Sequence, residues 1–303
     1  MSDLRSDLIR SDHRLKFAEP YDFPSVLQFL AARAITEVEI VDNAGYRRTF
    51  WLRSGEQGAF EVAQGGEDFL QVRLWSTPAT DVDEVLRRVA RILGIDHDAA
   101  SAVEMLRRDS LLRPLVDRRP GLRIPGVWDG FEAAVRAIAG QQVTLKAAVG
   151  IVGRLTRICG GDLSMLQETG LSRLFPLPAD VVHADLFDLG IPATRSHAIR
   201  TLAEVARESD DVFLPENRNR RLSALPGIGD WTAQYVAMRA GRDADALPAA
   251  DIVLRRKLAE AGAKLSAGAV TRRAEQWRPW RAFAVVHLWM SDVEVRTPQE
   301  ASL

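Results

Sequence analysis

The spacing of apolar positions changes period partway along the chain, and the change divides it. Residues 24–34 are apolar at helical spacing, which predicts one short helix. Two alternating runs follow, 37–41 and 48–53, joined by Asp42-Asn43-Ala44-Gly45; this pattern predicts a β-hairpin. Residues 60–63 and 69–75 continue as strands around Gly65-Gly66. After Thr77-Pro78 the period becomes helical. Asp81 stands three residues before Glu84, as in a capping box, and Val82, Val85, Leu86, Val89 and Leu93 share one face. Arg118-Arg119-Pro120-Gly121 reads as a boundary. Beyond it the spacing predicts helices only, near 128–139, 142–159, 163–169, 180–186, 194–208, 217–224, 230–240, 251–262, 267–275 and 279–291. The expected fold is mostly α: a small N-terminal α+β domain over 15–120, with an antiparallel sheet and helices, then an all-α domain over 121–303. Residues 1–14 are charged, lack an apolar core, and read as a disordered tail rather than a signal peptide.

Composition narrows the class. A chain of 303 residues with 47% apolar content is long enough for two domains and a sizeable core. No run of 18 apolar residues is present, which argues against a membrane span. The single cysteine, Cys159, excludes an internal disulfide and a cysteine-based zinc cage, and fits a reducing cytoplasm. Net charge is −1 overall, −3 over residues 1–120 and +2 over 121–303, so any basic surface must be local.

The most informative segment is Leu222-Ser-Ala-Leu-Pro-Gly-Ile-Gly-Asp-Trp-Thr-Ala-Gln-Tyr235. Leu225-Pro226-Gly227-Ile228-Gly229 between two helical patterns reads as a tight turn in which glycines meet a need for positive φ or close approach. A helix is expected to start at Asp230, with Asp230 as its cap. The free N–H groups of such a turn can hold an anion. Gly227 and Gly229 are therefore candidate donors to a DNA phosphate, a contact that positions without reading sequence. Asp251 follows Gly229 by 22 residues, after Pro248-Ala249-Ala250. By position alone it reads as a helix N-cap, a role compatible with holding a reactive carboxylate at a positive helix end. Arg123, Lys146, Arg195 and Arg281 are either phosphate contacts or ordinary surface residues.

Five segments, in order, carry a resemblance. They are Pro20-Tyr21-Asp22 with Phe29-Leu30-Ala31-Ala32-Arg33; Pro120-Gly121-Leu122-Arg123-Ile124-Pro125-Gly126; Ala137-Ile138-Ala139-Gly140-Gln141-Gln142-Val143; the hairpin with Asp251; and Trp277-Arg278-Pro279-Trp280-Arg281 through His287-Leu288-Trp289. Together they resemble the helix-hairpin-helix, Gly/Pro-Asp superfamily of DNA base-excision glycosylases, of the 3-methyladenine DNA glycosylase II (AlkA) type, from about Pro20 to about Ser291.

The resemblance implies that residues 121–303 form a glycosylase domain with the helix-hairpin-helix at about 217–240. It implies that Asp251 is the catalytic carboxylate, stabilising an oxocarbenium-like sugar and orienting water. Trp231, Tyr235 and Trp289 stand where the family places base-binding aromatics, suited to cationic alkylated purines. Gln141 and Gln142 match its DNA-probing loop and are expected to open a helix. Gln142 replaces a leucine of the familiar form, and Ile252 replaces a tyrosine. Relatives that also cut the strand carry a Schiff-base lysine where this chain has Trp231, which implies hydrolysis without lyase activity. The single cysteine rules out the four-cysteine iron–sulfur cluster of other subclasses. No cofactor is expected to be required. A monovalent cation is possible at the carbonyls of Ser223, Leu225 and Ile228. The implied partner is double-stranded DNA containing damaged bases, met by a cytoplasmic monomer. The implied function is excision of 3-methyladenine- and 7-methylguanine-type bases in base excision repair. Two rivals stand beside it: a glycosylase for oxidised or deaminated purines, and a non-catalytic DNA-binding module.

Overall fold

The computed structural model describes residues 8–163, 169–214, 221–259 and 265–294. The first part is a five-stranded antiparallel sheet. Its strands are β1 (Ile9–Lys16), β2 (Glu39–Asp42), β3 (Gly45–Trp51), β4 (Gln57–Gln64) and β5 (Phe69–Ser76), in the order β1-β5-β4-β3-β2. Asp42 pairs with Gly45 at the expected hairpin. Tyr46 lies opposite Val62, and Val62 opposite Val72, so the centre of one face is apolar, with Arg48 the charged exception on β3. α2 (Val82–Leu93) covers that face with Val85, Val89 and Leu93, and Asp81 caps it by accepting the Glu84 N–H at 2.9 Å.

Two expectations need correction. Residues 9–14 are not tail: they form most of β1, paired with β5 from Ile9↔Ser76 to Lys16↔Phe69. This strand is an edge with one face toward solvent, so its side chains are mostly polar and carry little periodic signal. The packing seam also does not fall at residue 120. α3 (Ala99–Leu106) and α4 (Arg113–Arg118) join the core of the last helices through Ala102, Leu106, Leu112 and Val116, rather than the sheet core.

The helices that follow are α5 (Gly130–Gly140), α6 (Leu145–Cys159), α7 (Pro178–His183), α8 (Ala193–Glu208), α9 (Asp230–Arg239), α10 (Ile252–Lys257), α11 (Ala267–Ala274) and α12 (Arg281–Trp289). The helices expected near 163–169 and 217–224 fall largely outside the described residues. α6 starts at Leu145 rather than 142, because Thr144 caps it by accepting the Ala147 N–H. Gln141 and Gln142 consequently lie in a turn.

α1 (Phe23–Ala31) joins the two parts. Phe23, Val26 and Leu30, at i, i+3 and i+7, enter the sheet core, while Phe29 enters the helical core. A buried charge cluster reinforces the junction. Arg48 of β3 donates to Glu39 Oε1 (2.9 Å) and to both carboxylate oxygens of Glu132 on α5. Arg136 donates to Glu132 (2.8 Å), Glu39 (2.6 Å) and the Arg33 carbonyl (2.7 Å). Burial alone would raise the Glu39 carboxyl, but Arg136 and Arg48 hold it down at about 2. Removing one member of such a set strands its partners, at about 3–5 kcal/mol.

Candidate active site

The hairpin closes as its glycines require. Leu225 N–H bonds the Leu222 carbonyl and Ile228 N–H bonds the Leu225 carbonyl, both at 3.1 Å. Ile228 is buried and anchors the turn in the helical core. Gly227 has φ +78, and a Cβ there would meet Ala198 Cβ of α8 at 2.7 Å. Both facts demand glycine. Gly229 differs, which corrects the expectation that the fold needs both glycines. Its φ is −90, and a Cβ would meet nothing within 4 Å. Asp230 does not cap α9 either. Gly229 occupies the N-cap, no side chain caps the helix, and Asp230 is its first residue. The first N–H groups of a ten-residue helix therefore lack a side-chain partner at an exposed end.

The turn after α5 lies against this hairpin. Gln141 Nε2 donates to the Gly227 carbonyl (2.9 Å) and to Thr232 Oγ1 (3.2 Å). Its amide is thus turned to the protein. Gln142 is exposed at φ +56, a conformation uncommon outside glycine. Of the basic candidates, Arg123 is buried and donates to the Ala18 carbonyl (2.7 Å), and Arg281 pairs with Asp245 (2.8 Å). Lys146 stays exposed and Arg195 partly so.

Asp251 is only 9% exposed. It caps α10, with Oδ1 accepting the N–H groups of Val253 (2.9 Å) and Leu254 (3.1 Å). Trp289 Nε1 also donates to Oδ1, and Trp231 Nε1 donates to Oδ2, each at 3.2 Å. The cap and the functional candidate are the same group. Four N–H donors fix the carboxylate, and Oδ2, with a single indole donor, keeps accepting capacity. The loop before it is tied to α9, since Gln234 Oε1 accepts the Leu247 N–H at 3.0 Å.

The expected aromatics converge here. Trp231 and Tyr235, at i and i+4 on α9, stack at 5.5 Å, and Tyr235 lies 6.3 Å from Trp289 on α12. The structure adds three residues not foreseen. Phe29 stacks on Trp289 at 6.3 Å. The Arg33 guanidinium lies 3.6 Å from the Phe29 ring centre and 5.9 Å from that of Trp289. Arg239 donates to the Tyr235 hydroxyl (2.8 Å) and to the carbonyls of Pro125 and Gly126. Burial, then repulsion from Arg239, lowers Arg33 to about 9, so it stays charged at neutral pH. Burial lowers Arg239 as well. Spacing in sequence offered one hint, since Phe29 and Arg33 stand at i and i+4. Only packing brings α1 to the box.

Two further side chains complete the surroundings. Ile252, beside Asp251, is 79% exposed. Lys257 pairs with Asp292 and so does not reach toward Asp251 as a free amine.

Known proteins resemble this chain along most of its length. Residues 12–129 match the AlkA N-terminal domain family. The chain is 30% identical over 287 residues to DNA-3-methyladenine glycosylase 2 of Escherichia coli, covering 92% of this chain and 97% of that protein. It is 36% identical over 280 residues to the Mycobacterium tuberculosis protein named "Probable bifunctional transcriptional activator/DNA repair enzyme AlkA", covering 91% of this chain. It spans 56% of that relative's length, about half. The solved structure of the 3-methyladenine DNA-glycosylase from Archaeoglobus fulgidus superposes with a TM-score of 0.79 at 21% identity, over 92% of this chain and 98% of that one.

Proposed function

This chain belongs to the AlkA-type 3-methyladenine DNA glycosylases of the helix-hairpin-helix superfamily, and on that footing we propose that it flips alkylated purines out of duplex DNA and hydrolyses their glycosidic bonds. The observation that carries the proposal is Asp251. One carboxylate is held by a helix N-terminus and two indole N–H groups, directly beside a box of three aromatic rings.

The parts act in sequence. DNA phosphate binds the N–H groups at Gly227, Gly229 and the start of α9. Gly229 fits this reading: it is the N-cap of α9, and the open space where a Cβ would stand lets a phosphate approach its N–H closely. A monovalent cation would add to the grip through the carbonyls of Ser223, Leu225 and Ile228. The Leu225 carbonyl already accepts one N–H and keeps one lone pair. Gln142 fills the gap left by the flipped nucleotide, with Gln141 beneath it, and unstacking costs a few kcal/mol. Trp231, Tyr235 and Trp289 hold the base. Asp251 stabilises positive charge on the sugar and orients the attacking water.

Trp231 occupies the position of a lyase lysine, and Lys257 is paired elsewhere, which supports hydrolysis that leaves an intact abasic site. We place this work at the chromosome in the cytoplasm, carried out by a monomer. Among the described residues no helix is long and apolar enough to cross a membrane, and no group of His, Cys, Asp and Glu could hold a metal ion. A base-release assay on duplexes carrying 3-methyladenine, 7-methylguanine, hypoxanthine or 8-oxoguanine tests the proposal. Release of the methylated bases is expected. Release of 8-oxoguanine alone would move the activity to oxidised purines, and no release would leave only DNA binding.

A further inference from the structure

Two buried or half-buried guanidiniums adjoin the aromatic box, and the aromatic rings separate them from the carboxylate. Asp251 meets the indole N–H groups of Trp231 and Trp289. Arg239 meets the Tyr235 hydroxyl, and its guanidinium lies 4.8 Å from the Phe29 ring centre. Arg33 lies over Phe29 and beside Trp289. Structural duty accounts for Arg239, which is buried and bonded to two backbone carbonyls. It accounts less fully for Arg33. Among the described residues no carboxylate pairs with it; it hydrogen-bonds the Phe29 carbonyl within its own helix (3.0 Å) and the Tyr235 side chain of the box itself, and part of it remains exposed. Two like charges beside the same rings repel each other, a cost that their cation–π contacts with those rings partly offset.

We infer that Arg33, backed by Arg239, drives departure of the base by stabilising the electron pair that the base receives. The inference rests on the glycosylase reading above. The bond that breaks is the sugar-carbon-to-base-nitrogen bond, and its electron pair stays on the base. The base thereby gains one negative charge and the sugar one positive charge. Water adds its oxygen to the sugar carbon and releases one proton. A neutral base takes up a proton as it departs, so no net proton is released; a cationic base leaves neutral, and the proton from water passes to solvent. In both cases negative charge moves toward the arginines and positive charge toward Asp251. The field is in place before reaction, so little reorganisation is needed. This arrangement does for neutral bases part of what a general acid would do, and no second carboxylic acid adjoins Asp251 among its contacts.

The two charge types respond differently to loss of Arg33, which makes the inference testable. A cationic base is repelled by Arg33 in the bound ground state, and this repulsion vanishes as the bond breaks. Arg33→Met should therefore lower the single-turnover rate on 7-methylguanine about tenfold and lower the half-saturating enzyme concentration about equally, leaving their ratio unchanged. A neutral base feels no repulsion when bound and needs support as it leaves. On hypoxanthine the same variant should lower both the saturated rate and the ratio about tenfold, with half-saturation unchanged. Arg33→Lys, which keeps the charge, should retain the wild-type pattern on both. An equal fall of the ratio on both lesions in Arg33→Met would mean a merely structural role and overturn the inference, as would unchanged rates on both. Wild-type protein that releases neither base overturns the glycosylase reading itself, which is a separate failure.

Discussion

Replacing Asp251 by Asn separates the cap from the chemistry. The shape is kept, and Asn is nearly as good an N-cap as Asp, so α10 should persist. With its oxygen at the Oδ1 position, the amide still accepts from Val253, Leu254 and Trp289. At the Oδ2 position an N–H2 group would face the Trp231 indole N–H, donor against donor. One lost bond and one unsatisfied buried donor cost about 1–3 kcal/mol of stability. The alternative rotamer is worse, because it turns the N–H2 toward two backbone N–H groups. Loss of charge acts on the barrier instead. Removing a preorganised electrostatic partner of a transition state costs about 3–4 kcal/mol, or about 10²–10³ in rate. The expected variant therefore melts a few degrees lower, binds duplex DNA as before, and releases 7-methylguanine at least about a hundredfold more slowly under single-turnover conditions. Thermal melting, a binding titration and a base-release time course separate the three quantities. A release rate within threefold of wild type would refute the assignment of Asp251 to the chemistry.

The hairpin glycines should divide in the same way. Gly227→Ala meets positive φ and the Ala198 methyl, so it should lower stability by about 2–4 kcal/mol in a denaturant titration. Gly229→Ala should change stability by at most about 1 kcal/mol yet weaken binding to duplexes of every sequence alike; a loss limited to one sequence context would contradict the phosphate role. Borohydride treatment during turnover should trap no covalent adduct with DNA, and an adduct would show that an amine attacks the sugar. His287 is buried next to Arg119, and burial followed by that charge lowers it to about 4. Between pH 6.5 and about 4 the unfolded chain takes up a proton that the folded chain refuses, so stability falls as pH falls through that window, by about 3 kcal/mol at most. His287→Leu should flatten that fall, and an unchanged slope in melts across the window would show that the histidine is not its source.

Sequence determined whatever local physics determines. The β-hairpin at 42–45, the Asp81 cap, the start of α9 at Asp230 and the Gly227 turn were all legible, because each depends on residues within a few positions of one another. The candidate carboxylate and the aromatics at 231, 235 and 289 were legible through ordered motifs matching a known family. Packing decided the rest. β1 lacks apolar alternation because an edge strand needs it least, so its place against β5 could be seen only once the sheet was assembled. α3 and α4 lie before the expected boundary but pack after it, since burial follows complementary surfaces and not sequence order. Arg33, about 220 residues from Asp251, comes to the same box because α1 buries one face in the sheet and turns Phe29 toward the helices. A charge is placed by the whole fold, and its neighbours in space, rather than its neighbours in sequence, set what it does.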